Sequence, residues 1–112
     1  MNRARLETLL AHLKTVPEEK FGISDWKCGT AACAIGHAGS IPEFKLAGFS
    51  CAAVPEVLSP NGSLIGWRAV TRFFDLDIEE ARELFSGERY PDGDNTTLPE
   101  VIDRFSKFLE AT

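Results

Sequence analysis

The chain lacks any apolar run near the roughly 18–20 residues that a membrane-spanning helix requires. Arg3 and Arg5 ahead of Leu6 resemble the start of an export signal, but Glu7, His12 and Lys14 interrupt the apolar stretch such a signal needs. A cytoplasmic protein is therefore expected. Cysteine is scarce and odd in number, three in 112 residues, which suits free thiols in a reducing compartment better than a disulfide framework. Without an export route, the sequons at Asn61 and Asn95 are not expected to carry glycans. Positive charge is in deficit as well: 12 Lys and Arg against 17 Asp and Glu leave −5 at pH 7. That balance argues against an electrostatic grip on nucleic acid or on an anionic membrane. A Gly-rich phosphate loop, a His-Glu metalloprotease helix, a basic–aromatic stripe, internal repeats and low-complexity tracts are all missing from the sequence. No cofactor is expected.

What remains is an ordinary globular composition, 44% apolar and 26% charged, which excludes disorder of the whole chain. The length predicts a single domain over 1–112 with a core of its own. Charge is unevenly distributed. Met1 to Phe74 carries eight basic and six acidic residues, whereas Asp75 to Thr112 carries four basic and eleven acidic, a net −7. The acidic half is a candidate surface for a protein partner, set against the plainer role of keeping a small domain soluble.

Periodicity predicts a mainly α fold, a compact bundle of about five helices with a small β-hairpin insertion. Leu6, Leu9, Leu10 and Leu13 form one stripe that Pro17 ends. Phe21, Ile23 and Trp26 follow as an aromatic connector to the core. The segment Thr30–Ala38 predicts a thin helix capped by Thr30, so poor in side-chain bulk that neighbouring helices must enclose it closely. In residues 40–65 Pro42, Gly48, Pro55 and Pro60 preclude a long helix, and Pro60-Asn61-Gly62-Ser63 predicts a tight hairpin. Trp67, Val70, Phe73 and Phe74 mark the next helix, with Trp26 and Trp67 both expected in the core. Asp77 with Glu80 predicts a capping box, and Leu76 can staple to Ala81. After a polar loop from Tyr90 to Thr96, Thr97 and Glu100 start a final helix. It buries Leu98, Val101, Ile102, Phe105 and Leu109 and turns Arg104 and Lys107 outward.

Reactive side chains concentrate at Cys28, Cys33 and His37. On a helix, Cys33 and His37 are i and i+4, on one face, and with Cys28 they could hold Zn²⁺, completed by Cys51, His12 or Asp25. Alternatively Cys28 or Cys33 near a helix start could be a nucleophile or thiol sensor, with His37 or His12 as base. Burial of small thiols against a thin helix explains the same residues more simply, because free cysteine is among the most buried residue types. On that reading Cys33→Ala is tolerated better than Cys33→Ser. Papain-type catalysis is excluded: the second cysteine of that signature is missing, and its His and Asn stand about 130–150 residues downstream. A Cys28–Cys33 disulfide requires a turn in place of helix between them. The loop Asp92–Thr96 lacks the Gly and Glu that an EF-hand needs, having Thr97 and Asp103 at those places.

The pattern Phe21-x₄-Trp26-x-Cys28-Gly29-Thr30-x₂-Cys33-x₂-Gly36-x-Ala38, with Leu84-Phe85 and Val101-Ile102-Asp103-x-Phe105, resembles a loose group of small bacterial and phage proteins. The resemblance implies a soluble bacterial or phage protein and brings no activity with it. It also implies tryptophan as a common residue at position 37, which weakens a Cys–His dyad. The expected function is a non-enzymatic interaction or regulatory module, with a cysteine-based enzyme, thiol sensor or structural zinc site as the alternative.

Overall fold

Four amphipathic helices supply most of the core. The computed structural model describes residues 1–23, 27–28 and 31–111. Helix α1 (Arg3–Leu13) turns Leu6, Leu9 and Leu13 inward, and the Asn2 side chain caps it by accepting the Arg5 backbone N–H at 3.1 Å. Further along, α4 (Trp67–Phe74) buries Ala69, Val70, Phe73 and Phe74, while Trp67 is half-buried against the core. Trp26 lies outside the described residues. Helix α5 (Ile78–Phe85) begins with the expected capping box: Asp77 accepts the Glu80 N–H at 2.8 Å, and Glu80 accepts the Asp77 N–H at 3.1 Å. Such a cap is worth about 1 kcal/mol. The last helix, α6 (Leu98–Ala111), buries Leu98, Val101, Phe105 and Leu109. At its start the Glu100 carboxylate accepts both the N–H and the hydroxyl of Thr97.

The segment expected as one thin helix is different. Lys27–Cys28 (β1) and Ala31–Ala32 (β2) form a short antiparallel ladder, with Cys28 opposite Ala31. Helix α2 (Ala34–Ala38) starts only after it, with Cys33 at the N-cap position. Thr30, the expected cap, lies outside the described residues. Alanine's helix preference, under about 1 kcal/mol per residue even against glycine, is small enough for strand pairing to override. The short helix does bury Ala34, Ile35, Gly36 and Ala38. Its neighbours are α1, β2 and β3, so strands supply part of an enclosure expected from helices.

Between α2 and α4 stand a helical turn, α3 (Pro42–Leu46), and a sheet of β3 (Phe49–Cys51), β4 (Pro55–Ser59) and β5 (Gly62–Ile65), antiparallel in that order. Pro42 occupies the first turn of α3, where its missing N–H costs nothing. The predicted hairpin exists, shifted by one residue and joined by a third strand. Ser59 pairs with Gly62, so the loop is Pro60-Asn61, and Gly62 opens β5 with φ +119°. Phe49 and Val57 face each other across strands and are buried. At Gly39, just after α2, the backbones close up: a Cβ there would stand 2.8 Å from the Cys51 nitrogen.

Phenylalanines join these elements. Phe44 meets Phe73 edge-on at 4.9 Å between centroids, Phe49 stacks on Phe73 at 4.6 Å, and Phe74 lies 5.6 Å from Phe85, which meets Phe105 at 5.4 Å. The chain of rings runs from the sheet through α4 and α5 to α6. Arg5 covers the outer Phe73 face at 4.0 Å and donates to the Phe73 carbonyl. Among the described residues no helix is long and apolar enough to cross a membrane.

Candidate functional site

Cys33 is buried at the N-cap of α2. Burial pushes its thiol up to about 11, and the backbone N–H groups of Gly36 and Ile35 facing the sulfur offset this only in part. Cys51, also buried, lies close enough to raise it further. His37 donates from Nε2 to the Lys20 carbonyl at 2.8 Å and lies parallel to the Phe21 ring. That nitrogen therefore carries the ring's N–H, and Nδ1 is the acceptor of the neutral ring. His12 lies 6.4 Å from His37 between centroids; burial first, then His37, holds it below the usual imidazole range. Among the described residues no three metal-ligating side chains converge. The Cys28 side chain and Asp25 lie outside them, so a zinc set of Cys28, Cys33 and His37, or a Cys28 nucleophile, falls outside the described structure.

These positions change one expectation. At an N-cap, serine is preferred to alanine by about 0.5–2 kcal/mol, because its oxygen accepts the helix N–H groups. Cys33→Ser should therefore be the more stable substitution and Cys33→Ala the less stable, as urea titration of both will show. The thiol also sets a pH dependence. Its proton is held more tightly in the folded protein than in the unfolded, whose thiol has its ordinary value of 9.0. The associated stability is complete below pH 9 and is lost as pH rises towards 11, at roughly 1.4 kcal/mol per unit. Iodoacetamide at neutral pH should leave Cys33 unlabelled until the protein unfolds, as peptide mass mapping can show. Rapid native labelling of Cys33 would contradict this placement.

The acidic half folds into a groove between α5 and α6, about 670 Å³ in volume. Asp77, Glu79, Glu80 and Glu83 line one wall, and Glu100, Asp103, Arg104 and Lys107 the other. Six carboxylates thus face two cations. The floor is apolar: Leu84, Tyr90, Pro91 and Phe108. Arg104, expected to point outward, folds back instead. It lies 4.0 Å over the Tyr90 ring and donates to the Glu83 and Arg89 carbonyls at 2.9 and 2.7 Å. Lys107 does point outward and pairs with Asp103 at 2.9 Å. Arg89 bridges Glu79 and Glu83, each at 3.0 Å. Asp92 and Glu100 share a hydrogen bond that raises the Asp92 carboxyl; the Thr97 N–H, more than that bond, lowers Glu100.

Tyr90 belongs to the floor rather than to a polar loop. It is buried, donates to the Leu84 carbonyl at 2.6 Å, and is raised above the ordinary phenol range by burial. The flanking residues form two 3₁₀ turns, Gly87–Arg89 and Gly93–Asn95. The acidic content of the groove was visible in the sequence. Its floor was not, because Tyr90 and Pro91 belong to no periodic segment.

Comparison with family models, curated proteins and solved structures returned no match.

Proposed function

We propose that the chain is a non-enzymatic protein-interaction module, and that the α5–α6 groove is its working surface. The observation that carries this is a concave site with an apolar floor under an excess of carboxylates, in the half of the chain where acidic residues concentrate. Concave sites of about 300–1,000 Å³ are those that proteins use for ligands and anchoring side chains. The buried, proton-holding Cys33 supports an interaction role over a dyad built from Cys33 and His37. The resemblance of the Phe21–Ala38 pattern to small bacterial and phage proteins supports a soluble cytoplasmic module of that origin.

Charge reversal must spare the groups that hold the fold. Glu80 closes the capping box and Glu83 anchors both Arg89 and Arg104, so neither is a clean choice. Glu79 and Asp103 are exposed, and their ion pairs are worth at most about 1 kcal/mol. Co-purification from cell lysate should yield a discrete partner with the native chain and with Lys45→Glu, on α3. The double variant Glu79→Lys/Asp103→Lys should lose it. Retention of the same partner by the double variant, or no partner at all, overturns the proposal.

A further inference from the structure

Resting on that reading, we infer that the groove takes a cationic peptide segment in which basic residues flank a large apolar side chain. Among the described residues no cation pairs with Asp77, Glu80 or Glu100. Arg104 lies on carbonyl oxygens, the Tyr90 ring and the Glu83 carboxylate, Lys107 pairs with Asp103, and Arg89 bridges Glu79 and Glu83, so three cations stand against six carboxylates. The field at the opening is therefore negative, and it draws basic side chains to the rim. The floor asks for something else. Tyr90 and Phe108 offer aromatic surface that a polycation alone would leave wet, and an apolar peptide without charge would strand the carboxylates above it. Only a segment carrying both features satisfies rim and floor together. A divalent metal fits poorly: Asp77, Glu80 and Glu100 already accept backbone N–H groups, and among the described residues no three metal-ligating side chains converge.

A basic surface that could enter the groove also stands on the chain itself. Arg68 and Arg72 stand one turn apart on α4, next to Leu64 and Leu76 around a shallow depression. A second copy is thus the competing occupant, and the test must separate it.

Fluorescence anisotropy of labelled synthetic peptides of about ten residues, titrated with the full chain, decides the matter. One peptide has Lys and Arg flanking leucines, a second replaces the leucines by serine, and a third replaces the basic residues by glutamine. The first should bind at least about tenfold more tightly than either control, and should weaken at least about tenfold when salt rises from about 50 to 300 mM. Glu79→Lys/Asp103→Lys, with its fold checked by circular dichroism, should weaken it by a similar factor. Equal binding of the serine peptide would show simple ion exchange and overturn the inference. So would no binding of any peptide at about 1 mM, or unchanged binding by the double variant. Salt-sensitive self-association abolished by Arg68→Glu would give the groove to a second copy instead. If the double variant loses its co-purified partner and no peptide binds, the interaction reading stands while this inference falls; if it keeps that partner, both fall.

Discussion

Phe74→Ala should lower the free energy of unfolding by about 3–5 kcal/mol, the largest loss expected from any single truncation in this core. Phe74 has no exposed surface, and its ring lies within 6.3 Å, centroid to centroid, of Phe44, Phe49, Phe73 and Phe85. Those partners come from α3, β3, α4 and α5, so the cavity opens where four elements meet and no single one can move in to fill it. A domain of this kind holds about 5–15 kcal/mol in total, and the variant would sit near the edge of folding at 37 °C. Urea denaturation should show a lower midpoint with the slope kept. A loss under about 1 kcal/mol would mean that the ring cluster is not the joint between sheet and helices.

Gly39→Ala is expected to destabilise by about 1–3 kcal/mol, and here two effects of opposite sign compete. Gly39 has φ −63° and ψ −15°, an ordinary helical conformation. On backbone grounds alone, alanine would stabilise by about 0.4–1 kcal/mol through the entropy of the unfolded chain. The new methyl would, however, lie 2.8 Å from the Cys51 nitrogen and 2.9 Å from its Cβ. A backbone nitrogen in a sheet cannot swing aside as a flexible side-chain end would, so β3 must shift away from α2. The contact is expected to win. Thermal unfolding gives the sign directly, and a raised Tm would show that α2 and β3 approach less closely than described.

The elements legible in the sequence are those long enough to repeat a pattern. α1, α4, α5 and α6 each present at least two turns of apolar stripe, and Asp77 with Glu80 marks the start of α5 by a reciprocal pair of hydrogen bonds. α3 and β3, of five and three residues, offer no period; Phe44 and Phe49 are placed by the rings they meet rather than by neighbours in sequence. Ala31 and Ala32 read as helix because nothing local records a partner strand. Asn61-Gly62 announced a hairpin correctly, but strand pairing chose Pro60-Asn61 as its loop. At the candidate site, spacing put Arg104 on the outer face of α6, yet a side chain that long can return to the surface it starts from. The acidic wall could be anticipated by counting charges, whereas the floor depends on Tyr90 and Phe108 meeting across two segments.

The Arg104 clasp has a kinetic consequence. Its guanidinium holds the carbonyls of Glu83 and Arg89 and lies on a ring whose hydroxyl is itself tied to Leu84. The floor is thus braced before anything arrives, and a visiting segment need not wait for it to rearrange. Association would then be set by encounter and electrostatic steering, fast at low ionic strength and slowed by salt. The lifetime of the complex would depend mainly on how well the apolar anchor fits.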